Sequence, residues 1–449
     1  MRKISLPPHS LLVVVGLALL IRLTAVVILP PSLADDSHYY LDRGKQIVTN
    51  TVNPREFITF GPMYALLAGG ANAIFGRDNA ILFLRLLQAV LGAAVCGFVW
   101  RIAHRLTDDI RIATVAGLGI AINPIFIIDG NSIVTEPLFI FLLTWALSIY
   151  IGRKIGDSRQ LAASGGLFAL ATLTRAMSIL FPVGLAIHLA LVLPWKRALR
   201  GAAILLIVYA AVLSTWTIYN LVKFNRLYIG ASGAGDLLFA GTVGYNGSQS
   251  VDTHFAQVNG GSVPSDAARS SAIATTFGTT IASNPIGYLF NQSKKLASAL
   301  LQPHETIYFP GPSLKSMAAQ WLRTDRSIGG LAALLTDPTF WPKLILYIFH
   351  YLALIFGAVG IVLTLRDWRK FAPLSGFIVY TLLLHLFLLV VPRYLFPMMP
   401  FMWIFAAVAM VRLWVWVRSR KFALRYSPQS ITSSPVTSPN SEPGNQSAG

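Results

Sequence analysis

The chain has 449 residues, of which 55% are hydrophobic and only 12% charged, with 36 Lys and Arg against 18 Asp and Glu. Soluble domains carry about a quarter charged residues, so this balance excludes an ordinary water-soluble globule and points to lipid as the solvent. The formal net charge of +18 is spread through short connectors between apolar runs, as membrane topology requires, and does not form a nucleic-acid-binding face.

A helix needs about 20 mostly apolar residues to cross roughly 30 Å of hydrocarbon. Such runs fall near 10–30, 80–100, 111–128, 132–151, 161–175, 178–194, 200–219, 342–365, 372–391 and 395–417. They predict an all-α polytopic membrane protein with about ten transmembrane helices. The first run is too long for a signal-peptide core and no clean cleavage pattern follows it, so it reads as a retained span. A further run, 60–76, is ambiguous by length. Basic clusters at Arg2/Lys3, Arg101/Arg105/Arg111, Arg153/Lys154/Arg159, Lys196/Arg197/Arg200, Arg366/Arg369/Lys370 and Arg418/Arg420/Lys421 all fall on one face only if 60–76 lies along the membrane surface. The positive-inside rule therefore makes it a juxtamembrane helix and places both termini in the cytoplasm.

The expected organisation is an N-terminal transmembrane module over 1–219, with its catalytic first loop at 31–79. An extracytoplasmic loop region covers 220–340, C-terminal transmembrane helices cover 341–418, and a cytoplasmic disordered tail rich in Ser and Pro covers 419–449. The lone cysteine, Cys96, excludes an internal disulfide and leaves no thiol metal site. Basic connectors and the lack of secretory cysteines suit a multi-pass protein of a bacterial inner (plasma) membrane.

Chemistry-bearing residues gather at the outer interface. The first loop opens Ala34-Asp35-Asp36-Ser37-His38-Tyr39-Tyr40, the 128–132 hairpin is flanked by Asn123-Pro124 and Thr135-Glu136-Pro137, the 175–178 hairpin carries Arg175, and a late connector reads Pro392-Arg393-Tyr394. A charge at the bilayer centre costs on the order of 2.5–3.5 kcal/mol on insertion scales, so chains keep such residues where they have a partner or a task. The adjacent acids Asp35 and Asp36 suit a general base, because partial desolvation and mutual repulsion raise a carboxyl pKa. They equally suit a cap for a helix starting near Ser37. Glu136 serves either a substrate or a nearby arginine. Arg175 and Arg393, with Arg85 about one turn into the second span, are forks of donors for a phosphate or else interface anchors. No P-loop, HExxH, GxSxG or Cys/His metal spacing is present. The Gly-rich stretch Gly230-Ala231-Ser232-Gly233-Ala234-Gly235 lacks the βαβ context of a nucleotide loop.

In this order the motifs resemble the membrane-embedded GT-C glycosyltransferases, nearest to the branch of protein O-mannosyltransferases and lipid A aminoarabinose transferases (glycosyltransferase family 39). The likeness rests on Asp35-Asp36, on Phe60-Gly61-Pro62-Met63-Tyr64, on Arg85-Leu86-Leu87, and on Asn123-Pro124 with Thr135-Glu136. It continues through Leu173-Thr174-Arg175 with Pro182, Trp216-Thr217-Ile218-Tyr219-Asn220, and Arg393-Tyr394-Leu395 with Pro397 and Pro400, and so spans roughly 10–415. Relatives often carry Arg at the position of His38; many have Glu at that of Asp36 and Arg-Asn at Tyr219-Asn220, and Pro-Pro is commoner than Gly61-Pro62.

The resemblance implies a GT-C helical bundle with juxtamembrane helices on the extracytoplasmic side. It implies an inverting transfer of sugar from a polyprenyl-phosphate donor to a glycan, lipid or protein acceptor. Asp35 is then the general base with Asp36 beside it, and Arg393, Arg175, Arg85 and His38 face the donor-lipid phosphate. Glu136, Tyr39 and Tyr394 position the substrate. No cofactor is called for, although the two acids can hold a divalent cation weakly; the partners are the lipid-linked sugar and membrane lipids, with no nucleic acid. The competing class is a transporter or flippase for a lipid-linked or anionic solute, against which stand the absence of an internal repeat and the gathering of charge at one face.

Overall fold

The computed structural model describes residues 8–33, 35–51, 61–152, 154–225, 227, 229–230, 233–243, 266–324 and 326–425. The expected tail therefore lies largely outside the described residues. Among those described there is no strand. A single isolated bridge pairs Ser32 with Ser132, and the architecture is helical throughout.

Five stretches are long and apolar enough to cross a bilayer: His9–Ile28, Arg77–Thr107, Trp195–Phe224, Phe340–Leu384 and Pro392–Ser419. Six of the ten predicted runs fall in these five stretches, two of them in Phe340–Leu384, while the runs near 111–128, 132–151, 161–175 and 178–194 form shorter helices. Their punctuation explains it. Asn123 ends one helix, Ile110–Ala121, and caps the next, Pro124–Asp129, by accepting from Ile125 N at 3.0 Å. Pro137 and Pro182 each fix the opening turn of a further helix, Glu136–Tyr150 and Phe181–Val192. Between these two runs Ser158–Thr174, capped by Asp157. The last stretch is the hub of the bundle, with 89% of its window buried.

The break after Ala121 leaves helix-end carbonyls without partners, a cost in any apolar medium. Arg22 of the first span answers it. Its buried guanidinium donates to the carbonyls of Ile120 at 3.3 Å, Ala121 at 3.2 Å and Ala18 at 3.3 Å.

Two helices lie outside this frame and carry the first loop's chemistry. Asp35–Val48 packs against Pro62–Phe75, whose 14 residues extend only about 21 Å, too short to cross the hydrocarbon. Their backbones touch where Gly44 meets Gly69: a Cβ on Gly44 would lie 2.6 Å from Gly69 Cα and 2.7 Å from its nitrogen. At the other end a Cβ on Gly61 would lie 2.7 Å from the carbonyl oxygen of Thr174, so the Gly61-Pro62 turn seats the pair against the residue that precedes Arg175.

Residues 300–312 are laid onto the Phe340–Thr364 helix. Lys343 donates to the carbonyls of Pro310, Gly311 and Pro312 at 3.0, 3.3 and 2.9 Å, while His350 and Tyr351 meet those of Leu300 and Leu301 at 2.7 and 3.0 Å. At the far end of the bundle Arg111, Lys370 and Arg412 line one groove with Thr107, Asp109 and Asp367, and Arg111 pairs with Asp109 at 2.7 Å. Along the Arg77–Thr107 helix that groove stands about 30 Å from Arg85, one hydrocarbon thickness.

The Gly44–Gly69 contact yields a test with an internal control. Gly69→Val should destabilise the protein by about 1–3 kcal/mol through overpacking, seen as a lowered midpoint in thermal unfolding of the detergent-purified chain. Gly70→Val, whose Cβ meets nothing within 4 Å, should lose far less. Equal losses would refute the contact.

Candidate active site

Four elements converge at the end of the bundle opposite the Arg111, Lys370 and Arg412 groove. Glu136 is the first residue of its helix, Arg175 follows the end of Ser158–Thr174, Arg393 lies in the short Pro392–Leu395 turn that opens the last span, and Asp36 stands at the start of Asp35–Val48. The local sequence dictates each placement. A carboxylate favours a helix N-terminus, where backbone N–H groups are unpaired. Pro392 sets the turn that presents Arg393.

The hairpin leading to Glu136 is held by neighbouring polar side chains. Gln88 donates to the carbonyls of Gly130 at 3.0 Å and Ser132 at 2.8 Å and accepts from Tyr64 Oη at 2.7 Å. Ser37 donates to the Ile133 carbonyl at 2.8 Å, and Ile133 N donates to the Ser32 carbonyl at 3.2 Å. These bonds fix the first loop and the hairpin as one frame.

Within that frame Glu136 is fully buried and grips both arginines. Arg393 donates through Nε to Oε1 at 2.5 Å and through Nη2 to Oε2 at 3.0 Å, a bidentate fork. Arg175 donates to Oε1 as well, and to Thr135 Oγ1 at 2.8 Å. Arg393 then reaches Asp36 Oδ2 through Nη1 at 2.5 Å. Two carboxylates thus meet two guanidiniums and the charges balance. Three of Arg393's five N–H donors are committed by these bonds, which leaves two for an incoming acceptor. The arginine side chains are 13% and 24% exposed and Asp36 is 32% exposed, so the network is closed at Glu136 and open toward Asp36.

The aromatic residues line this network. Arg175 lies over the Tyr394 ring at 5.3 Å. Tyr39 packs edge-on against Tyr40 at 5.8 Å, and Tyr40 likewise against Tyr64 at 5.1 Å. Burial, and next the Asp36 carboxylate, push the Tyr40 phenol well above its ordinary pKa, so it stays a neutral hydroxyl at physiological pH.

The structure therefore brings together Asp36, Glu136, Arg175, Arg393 and Tyr394. Asp35 opens the same helix as Asp36, but its side chain lies outside the described residues. Two predicted phosphate ligands are placed elsewhere. Arg85 is buried and closes the end of the first span, donating to the carbonyls of Val26 at 2.8 Å and Leu29 at 2.6 Å and to Asn131 Oδ1 at 2.7 Å. His38 is exposed beside Arg77, which pairs with Asp42 at 2.9 Å.

Sequence reasoning missed a second polar cluster. His304 Nε2 lies 3.2 Å from Asp129 Oδ1 and 3.0 Å from Glu305 Oε1. Burial works against the His304 imidazolium, yet Glu305 and Asp129 outweigh it and raise its pKa to about 9. Burial pushes the Asp129 carboxyl up to about 7 against the pull of His304. The available signal was the His304-Glu305 pair itself, a charged step between the apolar Leu296–Leu301 end of one helix and Tyr308-Phe309.

The described residues form an all-helical bundle, with five stretches apolar enough to cross a membrane and a polar site at one end. Residues 59–225 match the family model described as dolichyl-phosphate-mannose-protein mannosyltransferase. No match is found among curated proteins. Among solved structures the chain is similar to the archaeal oligosaccharyltransferase AglB from Archaeoglobus fulgidus, in complex with an inhibitory peptide and a dolichol-phosphate. That likeness has 15% identity and a TM-score of 0.47, covering 94% of this chain and 52% of that one. It is also similar to ArnT from Cupriavidus metallidurans bound to undecaprenyl phosphate, with 13% identity, a TM-score of 0.49 and coverage of 92% and 63%. The chain spans about half the length of the first and under two thirds of the second. With TM-scores below 0.5, no further weight rests on these likenesses.

Removing the buried acceptor should be costly. Glu136→Gln leaves two guanidiniums facing a neutral amide, and the expected loss is about 3–5 kcal/mol, seen as a large fall in the thermal unfolding midpoint. Asp36→Asn, at a more exposed carboxylate, should cost about 1 kcal/mol or less. The reverse ranking would contradict the assignment of Glu136 as the centre of the network.

Proposed function

We propose that the chain is a glycosyltransferase that moves a sugar from a polyprenyl-phosphate donor to an acceptor at the extracytoplasmic face of the membrane. The observation that carries the reading is the paired guanidiniums of Arg175 and Arg393, fixed on one buried carboxylate beside the acidic start of the helix that follows the first span. Such a pair offers preorganised donors where a lipid phosphate accumulates charge as it departs.

In this reaction Asp35 takes the proton of the acceptor hydroxyl as its oxygen bonds to the anomeric carbon. The bond from that carbon to the phosphate oxygen breaks with its electron pair, and the polyprenyl phosphate leaves against Arg175 and Arg393. One displacement inverts the anomeric configuration. Asp36 positions Arg393 by the bond described above, and Glu136 holds both cations without meeting the substrate charge itself. Tyr394 and Tyr39 flank the sugar. A lipid donor enters laterally, which suits a site at the level of the outer headgroups. The match of residues 59–225 to a mannosyltransferase family supports transfer as the class of chemistry. The gathering of Arg111, Lys370 and Arg412 about 30 Å away supports a cytoplasmic location for that far end and an outer one for the site, by the positive-inside rule.

The test uses the purified chain in proteoliposomes with a radiolabelled polyprenyl-phosphate sugar and a membrane extract as acceptor source. Wild type should release sugar from the lipid, and Asp35→Asn should reduce transfer by at least roughly 100-fold, the scale of general-base catalysis. Arg393→Lys, which keeps the charge but loses the fork, should cost about 10- to 100-fold. Movement of intact lipid-linked sugar across the bilayer, unchanged by Asp35→Asn, would overturn the reading in favour of a flippase.

A further inference from the structure

The Asp129, His304 and Glu305 cluster is not used by the transfer chemistry above, and its geometry does not suit a simple hydrogen-bonded trio. Both carboxylates approach the same ring nitrogen, Nε2 of His304, at 3.2 and 3.0 Å. A ring nitrogen carries at most one hydrogen and cannot direct it well at two acceptors. Two ligands of one divalent cation at about 2.1 Å lie about 3.0 Å apart at octahedral angles and about 3.4 Å apart at tetrahedral ones, a range that contains both spacings found here. One ligand atom from each of the three side chains falls within 4.8 Å of the others.

Charge and burial point the same way. The residues are 2%, 9% and 7% exposed. Two carboxylates against the single imidazolium of His304 still leave a net negative charge in a site largely closed to water, and a divalent cation would displace the ring proton as it binds. The ring is also held in place, since Phe396 packs on His304 at 4.9 Å between centroids. The ligands come from two separate pieces of chain, the end of the Pro124–Asp129 helix and the connector beyond Leu300.

We propose that Asp129, His304 and Glu305 bind a divalent first-row transition metal, zinc before manganese, which clasps the 301–309 connector to the hairpin preceding Glu136. An imidazole nitrogen among two carboxylate oxygens suits those ions better than calcium or magnesium, which prefer all-oxygen shells. The cation neutralises the two carboxylates, takes the Nε2 lone pair, and leaves further positions to water. It adds to the Lys343, His350 and Tyr351 bonds that already hold 300–312. The proposal does not depend on glycosyl transfer, and its test does not measure it.

The experiment is elemental analysis of the full-length, untagged protein after chelator treatment and reloading with zinc sulfate or manganese chloride, with thermal unfolding alongside. Wild type should hold one equivalent and rise in midpoint on reloading. His304→Ala and the near-isosteric Glu305→Gln should each fall below a tenth of an equivalent and show no rise. Asp35→Asn, in the acid pair that the sequence offers as the alternative holder, should keep its metal. Binding of cobalt(II) to stripped wild type should give visible bands that Glu305→Gln lacks, a readout that stands even if His304→Ala fails to fold. The proposal is overturned if wild type takes up neither metal with no thermal shift, if Glu305→Gln loads like wild type, or if Asp35→Asn alone loses the ion.

Discussion

The polar site depends on one constraint: a carboxylate with no access to water must be matched by cations, and the chain supplies two from distant positions. Glu136 has no exposed surface, so its charge survives only because Arg175 and Arg393 close on it. Those arginines sit at the ends of different helices, and the acid therefore sets the relative placement of three segments of the bundle. The first loop joins through Asp36, which engages Arg393 from the solvent side. Reach and rigidity are divided between the two acids: the buried one fixes the cations, and the exposed one links them to the helix that carries the proposed base.

Much of this arrangement was legible in the sequence because membrane insertion makes charge conspicuous. Glu136, Arg175 and Arg393 stand out against apolar runs, and both arginines prove to be partners of Glu136. The distribution of basic clusters places the 60–76 run along the surface, and the structure gives it as the 14-residue helix Pro62–Phe75. The number of long helices was less legible. Window hydropathy measures apolar length but not continuity, and it passes over the breaks at Asn123-Pro124 and before Pro137 and Pro182.

Other features could not be read, because they depend on which backbone groups are left unpaired. Arg85 has the residue type and apparent depth of a phosphate ligand, yet the carbonyls ending the first span claim it. His38 lies in the acidic turn, but the pitch of its helix turns it toward Arg77. The Asp129, His304 and Glu305 cluster joins residues 175 positions apart, and no local spacing announces such a meeting. Its two halves each look like ordinary connector polarity.

Arg22 has a consequence for how the chain is made. Its guanidinium answers carbonyls 98 residues downstream, which do not exist when the first span reaches the translocon. During that interval the nascent helix carries an unmatched charge in a membrane environment that penalises it by about 2.5–3.5 kcal/mol. That charge meets its partners across the bundle only once the segment ending at Ala121 has been synthesised and docked, so the full set of Arg22 hydrogen bonds is a late event in assembly.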